Sequence, residues 1–307
     1  GRPGMKQILT RIAELWEEDP DAMIATAGRA VSMLRELEAS AEPLQRLTKE
    51  PLAGARKQYA ADFDELLGGF GPAPKFPQPA RLLFLLQDDD QASTDMALLT
   101  LDRMAAGGIY DQLEGGFHRY STDFEWRVPH FEKMLYDQAL IARAYLAAYR
   151  ETRDEKYAAT ARTVLDFTLA RMRHALGGFY SALSADSAVA GAPGGHMEEG
   201  AYYTWTWEQL TDALGDGVMR DWAVAWYGLE AQGNALADPL GEMAGRNVLY
   251  RARDIGAVSR HFRTDQATAG QRIDALDERL LAARRKRPAV PVDDKIVTVW
   301  NLSLIHI

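Results

Sequence analysis

The 307-residue sequence contains no cysteine. Thiol nucleophiles, disulfides and Cys-ligated metals are thereby excluded for this stretch of chain. It has no apolar run long enough to span a bilayer. It also lacks the HxxxH or HExxH spacing of a metal site and the GxxxxGK loop that cradles nucleotide phosphates. Positive charge is in short supply. A formal net charge of −9 argues against nucleic acid as a partner, because that contact needs a basic footprint. No cofactor, metal ion or membrane partner is expected, and a cytoplasmic setting is the expectation. An initiator Met is missing too: the chain opens with Gly1, and Leu302 to Ile307 do not finish the helix that Asp294 to Trp300 begins. The reading is of a fragment cut at both ends, so the lack of a signal peptide carries no weight.

What is present is ordinary globular material, 47% apolar and 26% charged, enough for a large core in one domain or two. One stretch organises the rest: Gly107 to Tyr136 packs two Gly-Gly turns, two histidines, three tyrosines and Trp126 into one loop-to-helix passage. A solvated loop has little need for so many aromatics, so the passage is expected to line something. Val128-Pro129 suggests a helix start. His130, Lys133 and Asp137 would then share one face of that helix's first turns, as a pocket wall.

Helical periods run over Met5–Glu17 (Ile8, Ile12, Leu15, Trp16), from Asp19-Pro20 to about Ala39, and over Pro51–Leu67, Arg81–Gln87 and Thr94–Ala106. From Pro129 to Tyr149 the pattern is apolar nearly all round, which predicts a buried inner helix. Glu155–Arg173 is amphipathic and predicts an outer one, joined to it by a tight turn near Thr152–Arg153. Gly-Gly-aromatic turns recur at Gly69, Gly116 and Gly178 with loose spacing. Buried helices alternating with amphipathic ones point to a mainly α architecture in two layers, an irregular bundle or an (α/α) toroid.

After Phe179 the texture changes. FYSALSADS and AYYTWTW alternate like strands around the small-residue loop AVAGAPGGH and predict an inserted β-hairpin. Helices follow at Trp207–Leu214, Val218–Tyr227 and Asp265–Arg287, with a short strand at Asn247–Arg251. Asp294 looks like the N-cap of a further helix.

The candidate catalytic residues are His118, His130, Asp186 and Glu199. Two imidazoles facing one pocket can act as acid and base near neutral pH, although each could instead satisfy nearby backbone groups. Asp186 with Glu198-Glu199 offers paired carboxylates of the kind glycoside hydrolysis uses, although Asp186 also suits a hairpin turn. The candidate ligand-binding residues are Tyr110, Arg119, Trp126, Lys133, Asp137, Tyr203 and Trp205. Aromatics of this kind can stack on sugar faces, and on a strand Tyr203, Trp205 and Trp207 would share one side. A metal cluster of His118, His130, His196 and Asp186 has only weak support.

The strings GGIYDQLEGGFHRYSTDFEWRVPHFEKMLYDQA, GGFYSALSADS, EEGAYYTWTWEQL, GRNVL and DDKIVTVWN together resemble a family of large bacterial and animal proteins. These join a thioredoxin-like domain to a six-hairpin (α/α) toroid, and spermatogenesis-associated protein 20 is the animal representative. The likeness covers Gly1 to about Asn301. It implies the fold of the N-acylglucosamine 2-epimerase and six-hairpin glycosidase group. It further implies that residues 1–67 lead from a thioredoxin-like domain absent here, that 68–301 form a partial toroid with an inserted β-hairpin, and that 302–307 are doubtful as native sequence. The pattern departs from the family after Asn301 and at Gly241–Gly245. Carbohydrate activity follows only from the fold, which does not fix function. The readings that compete are a sugar-active module with epimerase-like or isomerase-like acid–base chemistry, a non-catalytic toroid serving as binding or assembly partner of the thioredoxin-like domain, and a glycosidase-like enzyme.

Overall fold

The structure, a computed structural model, describes residues 4–39, 48–215, 217–235 and 243–305. These residues form two units, one ending at Ala53 and one starting at Gly54. The first holds α1 (Met5–Glu18) and α2 (Pro20–Ala39), with the Asp19 carboxylate accepting from the Ala22 N–H to start α2. Their apolar stripes, Ile8, Ile12 and Trp16 on one and Val31 and Leu34 on the other, stand largely exposed.

The larger unit is mainly α. It takes in most of α3 (Glu50–Asp62), then α4 (Pro79–Leu86) and α5 (Gln91–Ala106). Strands β1 (Tyr120–Ser121), β2 (Pro129–His130) and β3 (Lys133–Met134) lead into α6 (Leu135–Thr152), and α7 (Glu155–Arg171) follows. Burial separates the last two as their charge predicts. Nine residues of α6 are buried, Ala142 completely, whereas α7 buries only the stripe of Tyr157, Ala161, Val164, Phe167 and Thr168. Arg153 at φ 60° makes the turn between them, and α6 packs against α4 and α7. These are the paired inner and outer helices of an (α/α) toroid.

Strands β4 (Ala182–Leu183), β5 (Asp186–Ala188) and β6 (Met197–Glu199) come next. Then follow α8 (Trp207–Leu214), α9 (Gly217–Tyr227), α10 (Ile255–His261), α11 (Gln266–Arg284), β7 (Val292–Asp293) and α12 (Thr298–Ile305), the last packed on α6. β1 pairs with β2, β5 with β6, and β3-β4-β7 form an antiparallel sheet that gathers the chain just before two inner helices. No described helix is long and apolar enough to cross a membrane.

The three Gly-Gly-aromatic turns are one device used three times. Each closes with a bridge across the turn, Phe63 to Phe70, Tyr110 to Phe117 and Arg173 to Phe179. Each is clamped by a polar side chain of a later helix. Thr100 Oγ1 accepts from Gly69 N (2.9 Å), Gln138 Oε1 from Phe117 N (2.8 Å) and Asn301 Oδ1 from Phe179 N (2.7 Å). Glycine is required where the turn presses on its neighbour. A Cβ on Gly68 would lie 2.8 Å from the Thr100 Cα and one on Gly116 2.5 Å from the Phe167 ring, both at positive φ.

Several expectations give way. The helix expected from Pro129 starts at Leu135, because residues 129–134 pair as strands with Tyr120-Ser121 and Ala182-Leu183. His130, Lys133 and Asp137 therefore do not share a helical face. Side chains alternate instead, Phe131 and Lys133 buried, His130 and Glu132 on the open side. The inserted hairpin exists, but its strands are 186–188 and 197–199. Asp186 lies in a strand opposite Glu199 rather than at the turn. AYYTWTW is not a strand; it turns at 201–203, and Trp205 makes a single bridge to Asn247, all that remains of the strand expected at Asn247–Arg251. The third helix stops at Asp62, where the first glycine turn takes over. Asp294 caps nothing, since α12 starts at Thr298. Positions 241 and 242 and His306 lie outside the described residues.

Candidate functional site

The strand alternation at 130–133 divides the candidate residues into two neighbourhoods. The odd-numbered side chains enter a buried ion network. Lys133 Nζ donates to Asp111 Oδ2 (2.8 Å) and to the Gly115 carbonyl (2.9 Å), with no side-chain surface exposed. Arg284, far away on α11, grips the same carboxylate with two bonds of 2.8 and 3.0 Å and reaches Glu114 at 3.1 Å. Burial would push the Asp111 carboxyl up, but Arg284 and then Lys133 hold it well below the usual carboxylate range. Burial also pulls the Lys133 ammonium down to about 8 against the attraction of Asp111. The first glycine turn repeats the arrangement, with Lys75 bound to Asp64 (2.6 Å) and to the Gly68 carbonyl (2.8 Å).

His118 belongs to this interior. It is 2% exposed, its Nδ1 is 3.0 Å from the Phe131 carbonyl, and its ring meets Phe131 and Tyr203 edge to face. A carbonyl only accepts, so Nδ1 carries the proton. Burial, reinforced by the charge of Lys133, drives the His118 pKa well below its ordinary value, and the ring is neutral at pH 7. The cavity beside His118, Asp111, Tyr203 and Arg284 measures about 10 Å³, room for about one water. Tyr203 is buried, with its phenol pKa raised by burial. Trp126 is fully buried and donates to the Leu67 carbonyl (3.0 Å). Tyr110 bonds Thr163 (2.7 Å), and Trp205 lies beneath the Arg287 guanidinium at 3.9 Å.

The even-numbered side chains make a half-open cluster. His130 stacks on Tyr120 (5.0 Å between centroids, 17° between planes). Its Nδ1 is 2.7 Å from Glu199 Oε1, which also accepts from the Phe131 N–H (3.2 Å). Its Nε2 lies 3.8 Å from Glu132 Oε2. Glu132 in turn accepts from Arg119 Nη1 (2.8 Å), and its backbone carbonyl accepts from the Arg119 N–H. The Glu199 bond raises the His130 pKa above its ordinary value, against the opposing effect of burial. Asp137, on the first turn of α6, is 7% exposed, and its Oδ2 has no hydrogen-bond partner among the described residues. Burial pushes its carboxyl up to about 7, Arg119 pulling it down and Glu132 pushing it further up. Tyr136 beside it feels the same Arg119 charge and packs its ring on Trp300 (5.0 Å). Asp186 is exposed, and with Glu199 it lines an open cavity of about 550 Å³ that also takes in His196 and Arg246.

The two histidines thus lie on different sides of Phe131, one bonded to its carbonyl and the other sharing Glu199 with its N–H. His130, Glu199 and Arg119 come together; His118, Lys133 and Tyr203 come together elsewhere. Glu132, Tyr120 and Tyr136 complete the open cluster, and Glu132 could have been found from a strand period across PHFEK. Arg284 and Glu114 carry no such local signal. Among the described residues no group of three or more His, Asp or Glu side chains is placed to hold a metal ion.

Human spermatogenesis-associated protein 20 is 36% identical over 98% of this chain and 41% of its own length. The chain is a homologue of spermatogenesis-associated protein 20. It spans about two fifths of the length of the curated relatives it matches. No protein-family model matches it. Among solved structures, cellobiose 2-epimerase from Spirochaeta thermophila aligns with TM-score 0.37 at 21% identity, over 44% of this chain and 40% of that one. The cellobiose 2-epimerase of Bacillus thermoamylovorans aligns with TM-score 0.38 at 11% identity, over 78% and 72%. Likeness at that level carries no statement about chemistry.

Proposed function

We propose that the cluster of His130, Glu199, Glu132, Arg119 and Asp137 is an acid–base site acting on a carbohydrate by epimerisation or isomerisation. The observation that supports it most is the 2.7 Å contact between His130 Nδ1 and Glu199. A carboxylate there fixes the proton on Nδ1 and leaves Nε2 as the base. In this reading Nε2 takes the proton from the carbon next to the sugar carbonyl, the charge passes to the carbonyl oxygen as an enolate, and the positive charge of Arg119 stabilises it. A proton then returns to the opposite face of that carbon, or to its neighbour in isomerisation. Asp137, with an oxygen unpartnered among the described residues and a carboxyl raised to about 7, is the second proton carrier. His118, neutral and bonded inside, supports the strand carrying His130 instead of serving as its partner.

The test is solvent deuterium. Reducing sugars incubated in D₂O with the full chain are expected to acquire deuterium at the abstracted carbon, and His130→Asn is expected to lower that rate ~10²-fold or more with the fold intact. No incorporation with any sugar tried, together with sugar binding untouched by His130→Asn, would return the module to a binding role, with the family's thioredoxin-like domain as its natural partner. A second reading rests on Asp186 and Glu199, direct cross-strand partners on one cavity. Such Cβ atoms lie about 4.5–5.5 Å apart, which is compatible with the ~5 Å carboxylate spacing of retaining glycosidases. Hydrolysis of a glycoside abolished by Asp186→Asn, without deuterium uptake, would favour it.

A further inference from the structure

A separate cavity of about 520 Å³ opens between α8 and the C-terminal end of α11, and none of the residues of the acid–base cluster lines it. Ala213, Ala282 and Ala283 line it, and methyl groups in place of longer side chains leave the space. Its charged lining is Arg279, Lys286 and Arg287 against one acid, Asp212. In a chain with net charge −9 such a surplus of cations is out of character.

Neutral groups hold the two arginines. Arg279 Nη1 donates to the Leu214 carbonyl (2.9 Å) at the end of α8. Arg287 Nη1 donates to the carbonyls of Tyr202 (2.8 Å) and Thr204 (2.7 Å), while its plane covers the Trp205 ring. No carboxylate among the described residues pairs with any of the three. Burial pulls the Arg287 guanidinium down to about 10, with Arg284 and Arg246 adding to the effect. A partly buried cation surrounded by carbonyls and other cations favours a counter-ion that the described residues do not supply.

We propose that this cavity binds a phosphate monoester of a small polar molecule, its phosphate lying among Arg279, Lys286 and Arg287. A monoester carries about −1.5 to −2 charge and three acceptor oxygens, which suits three cations opposed by a single acid. The volume lies in the ~300–1,000 Å³ range of small-molecule sites, more than a bare anion needs.

Calorimetric titration of the full chain tests this, with glucose 6-phosphate as the probe and inorganic phosphate and succinate in parallel. The ester is expected to bind saturably, and ~10-fold or more weaker in Lys286→Glu, whose exposed position leaves the fold alone. Arg279→Gln serves as an independent second variant, and Lys156→Glu, an exposed cation lining a different cavity, is expected to change nothing. Inorganic phosphate is expected to bind more weakly because it fills only the charged end. No saturation by about 10 mM ester, affinity unmoved by both Lys286→Glu and Arg279→Gln, or equal affinity for inorganic phosphate or succinate would each overturn the assignment. Because these variants lie outside the acid–base cluster, the outcome is independent of whether that cluster turns over a sugar.

Discussion

His118 and His130 are twelve residues apart on the same strand-and-loop passage, yet their surroundings give them opposite properties. Around His118 every charge is buried and matched, Asp111 with Lys133 and Arg284, and the imidazole is kept neutral. Around His130 the charges are half in water, one carboxylate touches the ring, and the imidazole is drawn toward its protonated form. A matched interior fixes geometry; a half-open pair can exchange a proton with something that arrives from outside. The contrast lies in neighbours, not in residue type.

The strongest way to break this contrast is to remove one partner on each side. Asp111→Asn leaves Lys133 and Arg284 buried without their carboxylate and is expected to cost about 3–5 kcal/mol, measured by denaturant unfolding. Glu199→Gln, on the half-open side, is expected to cost about 1 kcal/mol or less in the same measurement. Similar losses at both positions would erase the distinction between a structural network and a working one.

Next in size is the paired histidine substitution. His118→Leu removes the donor to the Phe131 carbonyl and is expected to cost about 1–3 kcal/mol of stability. His130→Asn is expected to leave stability nearly unchanged while lowering deuterium exchange into sugar. A reversal of the two roles would move the site into the interior.

The pH dependence sharpens the comparison because the two signs differ. His130 has a folded pKa above its ordinary 6.5, so its contribution is fully present below pH 6.5 and is lost as pH rises through the folded value. His118 has a folded pKa below 6.5, so its contribution is present above pH 6.5 and is lost as pH falls. Unfolding midpoints collected from pH 5 to 8.5 should therefore flatten on the alkaline limb in His130→Gln and on the acid limb in a His118→Gln variant. Asp137 adds a term with the sign of His130: raised to about 7 when folded, it costs stability as pH climbs from about 4 to 7, so Asp137→Asn should help most at alkaline pH.

The smallest effect is expected from Arg119→Gln. Its pair with Glu132 is partly exposed, and its loss should change stability by about 1 kcal/mol or less. The proton NMR titration of His130 should still move upward, since the Arg119 charge lowers that pKa.

Much of the helical framework was legible because burial leaves a periodic trace. The charge-poor run ending at Tyr149 and the striped one after Glu155 became inner and outer helices, and the glycine turns marked where the chain reverses. What stayed hidden had weak or conflicting local signals. Pro129 is as suitable for a strand edge as for a helix start, and only the pairing partners at residues 120–121 and 182–183 decide between them. Taking the wrong period there joined His130 to Lys133, which face different ways. The partnership of Asp111 with Arg284 spans 173 residues and leaves nothing in either neighbourhood to announce it.

The clamped glycine turns also set a timetable for the growing chain. The first two clamps join positions 31 and 21 residues apart, whereas the third joins Phe179 to Asn301 across 122. At a synthesis rate of about 5–20 residues per second, the partners of the first two turns follow within about 1–6 s, and that of the third only after about 6–24 s. On the ribosome, the early hairpins can seal while the turn at Phe179 still waits for Asn301, leaving the strands and helices between them to emerge against an unfinished edge.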